Sequence, residues 1–210
     1  MKKTRGTNTL ATLAIACALS PGAMAQSRLP TIPPADYTDA QKQSVEDFLA
    51  HRHVPISGPF EVMLYSPEVM TRARAMGDYL RYGSAIGNVL SEFVIVITAR
   101  EWSQDYEWSV HAPIAAKVGI KPEIIAAVKE GHRPLGMSDD EEIVYDFTTE
   151  LNRSKRVSDA TYARAEKRFG KPAMVDLVGI TGYYTFLAMQ LNTAKFQPPK
   201  DAERLPRFPE

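Results

Sequence analysis

The stretch that decides the fold is Asn88-Val89-Leu90-Ser91-Glu92-Phe93-Val94-Ile95-Val96-Ile97-Thr98-Ala99-Arg100. It is apolar on nearly every side, and its β-branched residues suit a strand as well as a helix. Length decides between them, because the run is too long for an ordinary strand and fits about 3–4 helical turns. A helix that is apolar all round belongs at the centre of a fold. Glu92 is the acid within it, and a carboxylate there is costly unless it is paired. Either Glu92 reaches solvent at one edge of the helix, or it is a candidate for a raised pKa or a hydrogen-bond relay.

Working outward, helix signals flank this stretch on both sides. Upstream, Thr38 with Gln41 three residues later forms a capping box that opens a helix over roughly 39–53, ended by Pro55, Gly58 and Pro59. Ser66-Pro67-Glu68 places a cap, a first-turn proline and a first-turn acid before a helix to Tyr82, with Val69, Met70, Ala73, Met76 and Leu80 as its apolar stripe. Downstream, Glu107–Val118 is closed by Gly119, Pro122 opens a helix to Glu130, and Ser138-x-x-Glu141 opens one to Asn152. Ser158 starts a helix stopped by Gly170, and Pro172 starts a long one to Asn192. No strand or hairpin pattern interrupts the series. The pattern predicts an all-α, single-domain bundle of about eight helices over residues 38–195. A Pro-rich arm (26–37, with Pro30, Pro33 and Pro34) and a Pro-rich tail (196–210, with Pro198, Pro199, Pro206 and Pro209) flank it. Such arms either pack on a neighbouring subunit or hang loose.

The N-terminus reads as an address. Lys2, Lys3 and Arg5 precede a short apolar run, Leu10–Leu19, and Ala23-Met24-Ala25 is an A-x-A cleavage site. Cleavage after Ala25 predicts a periplasmic or secreted protein beginning at Gln26; lipoprotein processing at Cys17 ranks second, because Ala14-Ile15-Ala16 lacks the usual leading leucine. Cys17 is the single cysteine of the 210-residue chain, so the mature form would contain no thiol. With 25 basic against 25 acidic residues there is no global field to attract nucleic acid, and no stretch is long and apolar enough to predict a membrane span.

Chemistry-bearing motifs are few. There is no Gly-rich phosphate loop, no HExxH and no G-x-S-x-G, and no metal or cofactor is expected. Of the four histidines, His51 and His53 close the first helix, where they cap carbonyls, and His132 lies in a loop. His111 differs, since Glu107 sits four residues before it on the same helix face. That spacing makes either an acid/base pair, with the carboxylate charging and orienting the imidazole, or a surface ion pair worth about 0.3–0.5 kcal/mol. Trp102, Tyr106 and Trp108 surround the pair and either wall a pocket for a ring-shaped substrate or belong to the core. Arg100 either binds a substrate carboxylate bidentately or closes a structural ion pair. Glu92, Glu107 and His111 are ligand types that suit zinc or iron, but their spacing matches no metal motif.

At Glu92–Arg100, Tyr106-Glu107-Trp108-Ser109-Val110-His111, Ala115 and Gly119 the chain resembles the carboxymuconolactone decarboxylase superfamily, which includes alkylhydroperoxidase D-like proteins. The resemblance spans roughly Gly58–Gly131, with weaker support at Gly182-Tyr183-Tyr184 and Leu191-Asn192. It implies an all-α fold, a homo-oligomer (trimer or hexamer) and a pocket near a subunit interface. In the hydroperoxidase branch a Glu, a CxxC and a His do the chemistry. Here Glu92 and His111 match the outer members, while Gln104 and Glu107 stand where the cysteines would be. Peroxiredoxin-type hydroperoxide reduction therefore lacks its thiolate. The decarboxylase branch is closer, and implies a lyase or isomerase acting on a small carboxylated lactone or related cyclic compound. His111 would move the proton, Glu107 would orient His111, Glu92 would relay and Arg100 would hold the carboxylate. A non-catalytic protein that binds a small molecule is the alternative from another class.

Overall fold

The computed structural model describes residues 27–207. The expected signal peptide and Cys17 lie outside those residues. Eight α-helices follow one another among the described residues: α1 (Asp39–Arg52), α2 (Pro59–Met63), α3 (Pro67–Tyr82), α4 (Gly87–Glu101), α5 (Asp105–Val118), α6 (Pro122–Lys129), α7 (Asp139–Ser154) and α8 (Asp159–Ala194). A short 3-10 turn, Pro34–Asp36, precedes them. The described residues contain no strand and no helix long and apolar enough to cross a membrane.

Magnitudes explain why the deciding stretch is helical. A β-branched residue costs a helix at most about 0.7 kcal/mol, whereas full burial of a Val, Ile or Phe side chain contributes roughly 1.5–3 kcal/mol. Every residue from Ser91 to Arg100 is buried in α4, so burial wins. α3, α5, α6, α7 and α8 all pack around α4, which is the surrounded position that its all-round apolarity demands.

The helix ends follow local chemistry. Both expected capping boxes form, with Thr38 and Gln41 bonded reciprocally ahead of α1, and Ser138 and Glu141 ahead of α7. Ser66 departs from expectation, since its side chain makes no cap bond although Pro67 does open α3. The backbone of His53 closes α1 in the left-handed conformation, and the His51 ring approaches the Asp47 carbonyl at 2.8 Å. The helices expected on either side of Gly170 are two segments of α8, broken where Gly170 takes φ 78 and ψ 170. The short α2 was not foreseen, because Pro59 reads equally well as a helix terminator and as a first-turn residue.

Both ends of the described stretch lie on this chain's own helices. Arg28 donates its backbone N–H to the Ala194 carbonyl, Tyr65 donates its hydroxyl to the Pro30 carbonyl, and Leu205 is buried in the core.

Gly58 joins α1 to the rest through a conformation that side chains resist, with φ 58 and ψ −123. A Cβ there would stand 2.2 Å from the Tyr106 ring. Gly58→Ala is therefore expected to cost about 1–3 kcal/mol, and the melting temperature followed by circular dichroism should fall by about 2–4 °C for each kcal/mol.

Candidate functional site

The site lies where α1, α3, α4, α5 and α8 meet. α4 brings Glu92, which is 0 % exposed. α5 brings Glu107 and His111, one turn apart, and α3 brings Arg81 from its last turn. The Glu92 carboxylate is shared between two partners. Its Oε1 accepts from Arg81 Nε (3.1 Å) and Nη2 (2.9 Å), and its Oε2 accepts from His111 Nδ1 at 2.6 Å. Burial alone would push Glu92 up, but the His111 hydrogen bond and the Arg81 charge outweigh it and hold the carboxyl below its usual range. The raised pKa expected for Glu92 is thereby corrected to a lowered one, and the carboxylate fixes the proton of His111 on Nδ1. The Tyr184 ring stands edge-on to the imidazole with centroids 5.1 Å apart, which holds it in place.

The other imidazole nitrogen, Nε2, lies 3.6 Å from Glu107 Oε2. Burial depresses the His111 pKa more than the Glu92 bond raises it, so at neutral pH the ring is uncharged and Nε2 carries a lone pair. Glu107 is the opposite case. Burial, against partial compensation from Arg81 and with added repulsion from Glu92, pushes its carboxyl up to about 8. Glu107 is therefore a neutral carboxylic acid at pH 7, and its buried Oε1 makes no hydrogen bond within the protein.

His111 and Glu107 line a cavity of about 240 Å³. Its walls include the rings of Phe48, Phe60, Tyr106, Tyr183 and Tyr184 and the guanidinium groups of Arg52 and Arg81. Arg52 is held in position by Asp78 (2.8 Å) and lies over the Phe60 ring at 4.6 Å. Arg52, Val54 and Arg81 also border a wider outer groove that carries His51 and Tyr82, so the two arginines frame a boundary shared by the cavity and the groove.

Four of the residues singled out from sequence converge here: Glu92, Glu107, His111 and Tyr106. Three do not. Arg100 lies two turns along α4 from Glu92 and bonds Ser103 Oγ at 3.1 Å. Trp102, in the turn after α4, donates its indole N–H to Thr185 at 3.0 Å, and Trp108 turns to another face of α5 and donates to Glu203 at 3.1 Å. The division of labour is corrected as well. Glu92, not Glu107, orients the imidazole, and burial keeps His111 neutral where the helix spacing alone favours imidazolium. Glu92 is also committed to Arg81 and His111, and among the described residues no three His, Cys, Asp or Glu side chains group as metal ligands. Sequence reading missed Arg52 and Arg81. Its one usable signal was that a carboxylate inside an apolar helix demands a cation, without saying which.

The titrations give stability a pH dependence. The native state keeps the Glu107 proton up to about 8, while an ordinary Glu releases it near 4.5. Unfolding between these values releases a proton, so this contribution falls as pH rises. His111 acts in the other direction only below its ordinary 6.5, where unfolding takes up a proton. Between pH 6.5 and 8 the Glu107 slope stands alone of the two. Glu107→Gln is expected to flatten it, as read by urea denaturation at several pH values in that window.

The fold is the all-α alkylhydroperoxidase D-like fold. A peroxidase-related protein from Silicibacter sp. TM1040 superposes with a TM-score of 0.67 at 15% identity, over 87% of this chain and 96% of that one. The alkylhydroperoxidase AhpD core of a peroxidase-related protein from Ralstonia eutropha JMP134 gives 0.66 at 17% identity, over 85% and 95%. The debrominase Bmp8, in complex with 2,3,4-tribromopyrrole, gives 0.66 at 11% identity, over 84% and 94%. At these identities the likeness establishes the fold. No family model matches the chain, and no curated protein does.

Proposed function

We propose that the chain is an acid/base enzyme, a lyase or isomerase of the decarboxylase kind, acting on a small single-ring carboxylated compound such as a lactone. The observation that carries this reading is the pairing at His111: Nδ1 anchored on ionised Glu92, Nε2 beside the neutral acid Glu107, both at an aromatic-lined cavity. In a proton shift, His111 Nε2 takes a proton from a carbon next to a carbonyl or carboxylate. The imidazolium so formed is stabilised by Glu92. Glu107 gives its proton to the carbon at the far end of the shifting double bond. Once product leaves, the imidazolium returns its proton to the Glu107 carboxylate and both groups are reset. When carbon dioxide is lost instead, the electron pair left on the substrate is protonated by Glu107, whose carboxylate then takes up a proton from water to complete the cycle. Arg52 and Arg81, rather than Arg100, supply the positive field for the substrate carboxylate.

Hydroperoxide reduction finds no thiol among the described residues, since the chain's one cysteine is Cys17. Glu107 occupies a position where the resemblance would place a cysteine, which substitutes a proton donor for a sulfur nucleophile. The leader supports action in the periplasm or outside the cell, as a homo-oligomer of the kind the resemblance implies.

The test is to incubate the protein with single-ring carboxylated lactones and unsaturated acids in heavy water and follow deuterium uptake, double-bond migration and carbon dioxide release. The rate is expected to rise with pH as His111 loses its proton below 6.5, and to fall near pH 8 as Glu107 ionises. Saturable binding of these compounds without exchange or product would replace the enzyme with a binding protein. Peroxide consumption driven by a dithiol would restore the reductase.

A further inference from the structure

We infer that residues 203–207 form a strap that fixes the first turn of α5 and thereby holds Glu107 inside the cavity. The inference rests on the acid role proposed for Glu107. The first turn of a helix is where its hydrogen bonding is incomplete and where it frays. Glu107 is the third residue of α5, so its placement depends on a turn that is weak by itself. The Gln104 side chain caps that turn through the Tyr106 N–H at 2.7 Å. The strap holds the same turn through its side chains. The Asp105 carboxylate accepts from the Leu205 backbone N–H (3.0 Å), from Arg204 Nη1 (3.1 Å) and from Arg207 Nη2 (2.6 Å). On the same side, Trp108 donates to Glu203, which Lys129 of α6 also holds at 2.6 Å.

Asp105 and Trp108 flank Glu107 in the chain, so the strap grips the turn on both sides of it. Leu205 is buried at 3 % exposure and anchors the strap in the core. Arg204 and Arg207 also border, with Gln104, Asp105, Asn192 and Lys195, a cavity of about 350 Å³. The hold of the strap on α5 consists of the Asp105 and Trp108 contacts and the buried Leu205 side chain. Asp105, Arg204, Arg207 and Leu205 are positioning residues. The charged and titratable groups that face Glu107 are Arg52 of α1, Arg81 of α3, Glu92 of α4, Tyr106 and His111 of α5 and Tyr183 and Tyr184 of α8. None of them belongs to the strap.

The test releases the strap with Arg204→Ala, Arg207→Ala and Leu205→Ser combined, and reads the Glu107 carboxyl by carbon-13 NMR titration, assigned through Glu107→Gln. Water admitted to the frayed turn should raise the Glu107 acid dissociation constant by about tenfold or more, moving its midpoint from about 8 toward the ordinary 4.5. Amide protection in α4 and α8 should persist. Arg204→Lys with Arg207→Lys, which keeps the charges, should hold the midpoint. An unchanged midpoint in the released variant overturns the inference. So does a loss of protection in α4 and α8 together with α5, which would make the strap a general stabiliser. The titration needs no substrate, so its failure is distinct from a failure to find turnover, which would remove the acid role itself.

Discussion

Arg81→Met is expected to destabilise the protein by about 3–5 kcal/mol, because it strands a buried carboxylate. Glu92 is fully buried, and among the described residues Arg81 is the one cation bonded to it, since its other partner, His111, is neutral at pH 7. With the guanidinium gone, Glu92 must take up a proton or draw one onto His111, and either change disrupts the arrangement that keeps Nε2 a base. Urea denaturation at pH 7 measures the loss. Arg81→Met combined with Glu92→Met removes both charges and is expected to recover much of it, since apolar replacement of a buried ion pair is often close to neutral. A loss below about 1 kcal/mol for the single substitution would show that the pair is solvated and that Glu92 does not depend on it.

His111→Gln is expected to lower turnover of any substrate found in the exchange screen by about 10²–10⁴-fold, the range of a lost general base. The glutamine amide keeps a donor for Glu92, so the fold should survive, and circular dichroism with urea denaturation verifies that. If the variant keeps its rate within about twofold, His111 is not the base and the chemistry lies elsewhere in the cavity. The pH profile separates this case from a mere loss of fit. Losing the base should abolish the acid-side limb, while the limb near pH 8, set by Glu107, should remain in the residual rate.

Much of the fold was legible in the chain because its signals are local. The capping boxes at Thr38/Gln41 and Ser138/Glu141 formed as read, and Gly119 and Gly170 end helical segments as expected. Pro59 misled because proline is at home both after a helix and in its first turn. Within the site, Glu107 and His111 were legible because a four-residue spacing on one helix places side chains together whatever surrounds them. Trp102, Trp108 and Arg100 were drawn in by nearness in sequence, yet one residue of separation turns a helical side chain by about 100°. Each faces another part of the molecule.

The sequence by itself determined the helices, the central place of α4, the absence of a thiol beyond residue 17 and the helix face shared by Glu107 and His111. Those follow from spacing, capping and composition, which act within a few residues. The tertiary structure alone decided which acid is ionised and which is neutral. Two glutamates of the same intrinsic acidity take opposite states because Glu92 is bonded to Arg81 and His111, whereas Glu107 is buried without a bonded cation, and Arg81 and Arg52 offset its burial only in part. Solvent exclusion and the position of a cation eleven residues away on another helix set that outcome, and neither is encoded in local spacing.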